Sequence, residues 1–144
     1  MIALTTQTFR GCIVDFSKYV LAEIPFKIGG RGLDGIDCWG LAVLFYKEQL
    51  GLEIPEYDDV YKRYTPLGIS KYSILKAYQD WECVTNPRNG DIVLCKNEAV
   101  PMHVGIYKEH GKMLHIEMGK TPVIAGLEDN KWRSNVLGYY RLKG

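Results

Sequence analysis

Three residues of this sequence carry the side chains that thiol catalysis needs. Cys38 offers a sulfur nucleophile, His103 an imidazole that can take its proton, and His115 a second imidazole that can orient the first. A thiol reacts as its thiolate, and a helix N-terminus or a nearby imidazolium lowers the thiol pKa. A nucleophile, a base and an orienting group form the set that such catalysis uses. We therefore predict a hydrolase with Cys38 as nucleophile, His103 as base and His115 as orienter.

The element that must position the cysteine is a helix. Asp37 is a favourable N-cap, and apolar residues at helical spacing continue to a stop at Gly51, so Cys38 lies in the first turn. At that position its pKa is expected to be lowered, and its own N–H can donate to an oxyanion. Gly35 and Gly40 lie on either side of the cysteine, and we expect them to leave backbone room for a substrate carbonyl.

The histidines lie in the second half of the chain, where the hydrophobic period changes from helical to alternating. Short strands are predicted at Asp91–Cys95, His103–Tyr107, Lys112–Ile116 and Leu137–Leu142. A turn at His110-Gly111 would place His103 and His115 on neighbouring strands. Earlier in the chain, apolar spacing predicts a helix within residues 5–24 and another around Ile69–Trp81. Helices followed by antiparallel strands indicate an α+β fold.

The overall composition excludes several classes of protein. A chain of 144 residues is expected to form one domain, residues 1–144. With 18 basic and 17 acidic side chains and a net charge of +1, it has no electrostatic footprint for nucleic acid. We expect no membrane span and no signal peptide. The cysteines include no Cys-x-x-Cys pair, so reduced thiols are expected, with buried packing roles for Cys12, Cys83 and Cys95.

Several motifs resemble the NlpC/P60 family of cysteine peptidases. Their order and spacing match from about Phe26 to Arg141, and they are Asp37-Cys38-Trp39-Gly40-Leu41, Asn89-Gly90-Asp91-Ile92-Val93-Leu94, His103-Val104-Gly105-Ile106-Tyr107 and Met113-Leu114-His115. The resemblance implies a papain-like core, with the cysteine at a helix start packed on a small antiparallel sheet. It implies that Cys38 attacks an amide, with His103 as base and His115 as the third residue. It also implies peptidoglycan stem peptides as substrate, and no metal or organic cofactor.

Other features resemble the phage tail-tip branch of that family. They are Trp39 after the cysteine, the stretch Tyr46–Tyr61 and the ending Gly138–Arg141. This resemblance implies a protein that is made in the host cytoplasm and joins other phage tail-tip proteins in the virion. It would then act on the cell wall, in the periplasm, during infection.

Two positions depart from the family pattern and alter the expected substrate contacts. Phe26 stands where many members have a tyrosine whose hydroxyl helps the oxyanion site. Trp39 stands where many members have a serine that helps to hold a substrate amine. Asp37, Trp39 and Phe26 are the candidate substrate-binding residues, although helix capping explains Asp37 equally well.

Alternative interpretations remain open at this point. One is a free-standing bacterial cell-wall endopeptidase, and another is a catalytically silent tail protein that keeps the hydrolase fold as a docking module. A zinc site built from the cysteine and the two histidines is not favoured, because structural sites usually draw on closely spaced ligand pairs. Gly119-Lys120-Thr121 imitates the end of a phosphate loop, but the earlier glycine is replaced by Leu114.

Overall fold

The computed structural model describes residues 8–9, 12–56, 79–96 and 103–144. Two helical segments precede most of the strands, which is the α+β arrangement expected from the hydrophobic periods. The elements in chain order are β1 (Thr8–Phe9), β2 (Cys12–Ile13), α1 (Ser17–Ala22), β3 (Arg31–Gly32), β4 (Gly35–Ile36), α2 (Cys38–Phe45), a π-helical turn (Tyr46–Leu50), β5 (Trp81–Val84), β6 (Ile92–Cys95), β7 (His103–Lys108), β8 (Lys112–His115), β9 (Val123–Gly126) and β10 (Val136–Leu142).

Six strands form one antiparallel sheet in the order β5-β10-β6-β7-β8-β9. The strands β6 to β9 are adjacent in the order of the chain, whereas β10 returns to lie between β5 and β6. The pairs β1–β2 and β3–β4 form two separate small hairpins. Cys95 at the end of β6 lies opposite His103 at the start of β7. Residues directly opposite in an antiparallel pair project from the same face, so these two side chains share one face of the sheet.

A tight turn joins β7 to β8. His110 and Gly111 have φ values of 71° and 72°, and left-handed backbone at two successive residues allows an abrupt reversal of the chain. The N–H of Gly111 donates to the Tyr107 hydroxyl at 3.1 Å. Because the reversal is tight, the start of β7 and the end of β8 meet at the same end of the sheet. The hairpin predicted to bring His103 and His115 onto neighbouring strands is present.

The helix α2 packs on one face of the sheet and the segment before β10 packs on the other. On the first face the core contains buried apolar residues of α2, β6, β7 and β8, among them Leu41, Ala42, Phe45, Ile92, Ile106 and Leu114. On the second face a smaller cluster contains Val93, Cys95, Met113, Leu127 and Trp132. The sheet is therefore covered on both sides next to the start of β7.

Several predicted elements differ from the structure. The helix expected within residues 5–24 is confined to Ser17–Ala22, because the Asp15 carboxylate accepts hydrogen bonds from the Ser17 hydroxyl (2.8 Å) and the Lys18 N–H (3.2 Å) and so caps the chain there. The pair β1–β2 occupies part of the remainder. Of the helix expected around residues 69–81, residues 69–78 lie outside the described part, residues 79–80 are helical, and Trp81 begins β5.

The cysteines also differ from the expectation. Cys95 is fully buried as predicted, but Cys83 is exposed, because it lies on β5, the edge strand of the sheet. The side chain of Cys12 lies outside the described part. Within the ranges that the structure describes, no helix combines the length and hydropathy needed to cross a membrane.

Candidate active site

The start of α2 positions Cys38. The Asp37 carboxylate caps the helix by accepting from the Gly40 N–H at 2.8 Å, and it also accepts from the Gly29 N–H (2.8 Å) and from Arg31 Nη1 (2.9 Å). Its side chain is 6% exposed, so three donors satisfy a buried charge. Cys38 is the first residue of the helix, as the sequence predicted. Its N–H belongs to the first turn, whose N–H groups have no acceptor within the helix.

The glycines around the cysteine do not leave an open space for a substrate. A Cβ on Gly40 would overlap the carbonyl oxygen of Gly30, and a Cβ on Gly35 would overlap the side chain of Lys27. The expectation that these glycines make room for a substrate carbonyl was wrong, because atoms of the chain itself fill that room. Their small size instead lets the loop before α2 pack directly against the helix start.

The two histidines form one buried pair. His103 Nε2 lies 3.0 Å from His115 Nδ1, within hydrogen-bonding distance, and the rings are inclined by 84°. The side chains come from the start of β7 and the end of β8, and their residues are 5% and 2% exposed. With Nε2 engaged by the second histidine, Nδ1 is the nitrogen of His103 that can receive a proton. For that role Nε2–H must donate to His115.

The sulfur of Cys38 lies beside the start of β7. The N–H groups of Val104, the residue after His103, and of Trp39 donate hydrogen bonds to it. The structure therefore places the Cys38 sulfur against the backbone of the residue that follows His103, and it brings the two histidines together as a pair. Burial raises the pKa of the Cys38 thiol to about 12, and the Asp37 carboxylate adds to the increase. The lowered thiol pKa expected from the helix start was wrong, since loss of solvent outweighs the helix end and the two N–H donors.

Both imidazoles are held in their neutral forms. Burial lowers the pKa of His103 to about 3, with a smaller contribution from His115. Burial likewise lowers the pKa of His115 to about 4; the Glu117 carboxylate opposes that change, and Lys131 and Lys120 reinforce it. The resting site thus contains a neutral thiol and neutral histidines. Any proton transfer from sulfur to nitrogen creates two charges where there were none.

Trp132 contacts both histidines and was missed by the sequence analysis. Its ring stacks on His103 with a centroid distance of 5.4 Å and an angle of 18°, and it meets His115 edge-on at 5.1 Å and 82°. It lies between β9 and β10, in a segment of Asp, Asn, Lys and Ser residues without strand or helix periodicity. A single large aromatic residue in such a polar segment is the only signal that could have indicated it.

The three candidate substrate-binding residues have different surroundings. Asp37 and Trp39 are buried and engaged within the protein, since the Trp39 indole N–H donates to the Pro55 carbonyl at 2.8 Å and its ring contacts Trp81 edge-on at 5.8 Å. Phe26 is half-buried, and its N–H donates to the Lys120 carbonyl at 3.1 Å. Of the three side chains, that of Phe26 keeps the most exposed surface. Among the described residues no His, Cys, Asp or Glu cluster could hold a metal ion.

Comparison with known proteins links this site to one family. The model of the NlpC/P60 family matches residues 23–141, a span that includes the cysteine and both histidines. The murein DD-endopeptidase MepS/murein LD-carboxypeptidase of Escherichia coli strain K12 is 27% identical over 110 residues, covering 76% of this chain and 51% of that protein. The probable endopeptidase NlpC of the same organism is 25% identical over 115 residues, covering 77% of this chain and 64% of that protein.

A solved structure has the same fold. The NLP/P60 family protein of Staphylococcus aureus, described as similar to lipoprotein, matches with a TM-score of 0.64 at 19% identity. The match covers 91% of this chain and 41% of that one. The chain thus spans about half the length of the curated MepS protein and less than half of this solved structure.

Proposed function

Because the chain belongs to the NlpC/P60 family, we propose that it is a cysteine peptidase that hydrolyses amide bonds in the stem peptides of peptidoglycan. One observation carries the proposal: the sulfur of Cys38 accepts from the N–H of Val104, the residue that follows His103, and the His103 ring lies 3.0 Å from His115. On this proposal α2 supplies the nucleophile, β7 the base and β8 the orienter. No metal or organic cofactor takes part in the proposed reaction.

The reaction begins from neutral groups. The Cys38 sulfur attacks the carbonyl carbon of the scissile amide while His103 Nδ1 takes the thiol proton. His115 accepts from His103 Nε2–H and holds the ring in the tautomer that this transfer requires. The N–H of Cys38 donates to the developing oxyanion. His103 then passes the proton to the leaving amine, and water hydrolyses the resulting thioester, which restores the thiol.

The substrate class is supported by the names of the relatives, which describe murein endopeptidase and carboxypeptidase activities. Phe26 bears on the substrate as well: its half-buried ring has no hydroxyl, so we propose that it contributes apolar contact without an oxyanion hydrogen bond. The exact bond that is cleaved depends on such contacts.

Digestion of purified muropeptides, analysed by mass, tests the proposal. Wild-type protein is expected to release stem-peptide fragments, Cys38→Ala none, and His103→Ala far fewer than wild type. Cys83→Ala is the matched control, because that cysteine is exposed on the edge strand β5 and should be dispensable. If wild type leaves every muropeptide intact, peptidoglycan is the wrong substrate. If Cys38→Ala cleaves as well as wild type, the nucleophile is wrong.

We also propose that the chain acts as part of a phage or prophage tail tip, together with other tail-tip proteins. On this proposal it is made in the host cytoplasm and reaches the cell wall with the virion. The support is the resemblance of Trp39, the stretch Tyr46–Tyr61 and the ending Gly138–Arg141 to that branch. Mass spectrometry of purified virions from a host that carries the gene is expected to detect the chain in tails, and its absence from infectious particles would contradict the proposal.

A further inference from the structure

Trp132 lies against the histidine pair from the side opposite α2, in the smaller core cluster on the second face of the sheet. We propose that Trp132 is a positioning residue of this site: its indole holds His103 in the reactive orientation and stabilises the positive charge that the ring acquires when it takes the Cys38 proton. This inference rests on the proposed function, since it assigns a role in the same proton transfer.

The geometry restricts both rings at once. Trp132 is 3% exposed, its face covers His103 at 5.4 Å, and His115 meets it nearly at a right angle at 5.1 Å. With one imidazole face stacked on the indole and Nε2 bonded to His115, His103 cannot rotate about its ring axis without breaking a contact. A ring fixed in this way keeps Nδ1 as its proton-accepting atom.

The electrostatic surroundings explain why an aromatic face is useful here. An imidazolium in this buried site loses most of its hydration, and Lys131 acts further against the charged form of His103. Glu117 acts in its favour, and it pairs with Lys131 Nζ at 2.5 Å. The negative face of an indole attracts a cation within about 6 Å of its centroid, a distance that the stacked His103 ring satisfies.

Trp132 is held in place by its own segment. Its backbone N–H donates to the Asp129 carbonyl at 3.0 Å, and its backbone carbonyl accepts from the Asn135 N–H at 2.8 Å. Lys131 lies 5.1 Å from the indole centroid and pairs with Glu117, two residues after His115. The indole is therefore anchored to the same strand end that presents the second histidine.

The test compares Trp132→Leu and Trp132→Phe with wild type and with Leu127→Ala. Leu127→Ala loosens the same core cluster without removing an aromatic ring. Alkylation of Cys38 by iodoacetamide is followed by peptide mass spectrometry, with the exposed Cys83 as internal reference. The kcat and KM for muropeptides are measured in parallel. Nitrogen-15 spectra of labelled histidines report the tautomers of the three imidazoles, with the exposed His110 as reference.

Trp132→Leu is expected to lower kcat about tenfold with KM within about twofold, and to convert the single tautomer of His103 into a mixture. Cys38 alkylation should change by less than about twofold, because iodoacetamide reacts with the thiolate and needs no proton transfer to His103. Trp132→Phe, which keeps a weaker aromatic face, should lower kcat about threefold. Leu127→Ala should lower the melting temperature and leave alkylation unchanged. An equal loss of kcat in Trp132→Leu and Leu127→Ala would overturn the inference, as would an unaltered His103 tautomer in Trp132→Leu.

Two further outcomes are also decisive. If Trp132→Leu does not fold, a folded Trp132→Phe with the wild-type kcat overturns the charge stabilisation, and a loss of kcat beyond that of Leu127→Ala supports it. If wild type cleaves no muropeptide, the proposed function fails. The histidine spectra then still decide the role of Trp132, because they need no substrate.

Discussion

The alkylation of Cys38 against pH is the sharpest test of the site as described. Burial, reinforced by the Asp37 carboxylate, raises the thiol pKa to about 12, so the neutral thiol predominates over the whole ordinary pH range. The logarithm of the alkylation rate should therefore rise with unit slope from about pH 6 to pH 10, without a plateau. The half-buried cysteine keeps enough exposed surface for a small reagent to reach it.

The size of the effect follows from the thiolate fraction. At pH 8 a free thiol of pKa about 8.5 is roughly one quarter thiolate, whereas one of pKa about 12 is about one part in ten thousand. The more basic thiolate is intrinsically more nucleophilic, by about 40-fold for a Brønsted coefficient of about 0.45. The two effects together predict that Cys38 reacts about 60-fold more slowly at pH 8 than a free cysteine derivative.

The assay is alkylation with iodoacetamide that is quenched at set times. Mass spectrometry of the Cys38 peptide gives the rate, which is compared with the rate for N-acetylcysteine. Circular dichroism at each pH establishes that the protein is folded. A rate that is already at a plateau below about pH 7 would refute the reasoning, because it would mean that the thiolate and imidazolium are formed before substrate arrives. Proton transfer could then no longer be tied to the attack on the carbonyl carbon.

Three other predictions concern stability. His103 and His115 have folded-state pKa values of about 3 and 4, below an unfolded value near 6.5. Their contribution to the free energy of unfolding is therefore fully present above pH 6.5, and it should fall by at most about 1.4 kcal/mol per histidine and pH unit as the pH drops towards 4. Urea titrations would contradict this if His103→Gln showed the same loss of stability per pH unit as wild type. Gly40→Ala places a methyl group on a backbone carbonyl of the preceding loop and should cost about 1–3 kcal/mol, so an unchanged melting temperature would show that the loop yields freely. Asp91→Asn weakens the two hydrogen bonds from Arg141 Nε (2.9 Å) and Nη2 (2.6 Å) and should lower the free energy of unfolding by about 1–3 kcal/mol. If Asp91→Asn lowers it by the same amount in wild type and in the Arg141→Met variant, the two side chains do not stabilise each other.

The parts of the site that could be predicted depend on residues close together in the chain. An N-cap three residues before Gly40, apolar spacing after it and a glycine at the far end placed Cys38 at a helix start. The turn residues His110 and Gly111 allowed β7 and β8 to be recognised as a hairpin, and hence the histidines as neighbours. Such signals are local, because capping and turn conformations are chosen by a few consecutive residues.

Elements without a local signal were missed. The short strands β5 and β9 were not predicted. They lie at the two edges of the sheet and pair with β10 and β8, and neither alternates regularly between buried and exposed residues. Trp132 belongs to no periodic pattern, and its position on the histidines depends on the fold of the segment between β9 and β10. The space beside Gly40 could not be assessed from the sequence either, because the backbone of the facing loop fills it.

The sequence by itself determined the chemical groups of this protein: a cysteine at a helix N-terminus and two histidines on adjacent strands. Only the tertiary structure decided their protonation, because desolvation sums the packing of every element around Cys38 and His103 and no single stretch of residues encodes it. Tertiary structure also decided that Trp132 stacks on His103 and that β10 lies between β5 and β6. Long-range contacts of this kind join residues that are far apart in the chain, so no regular spacing in the sequence predicts them.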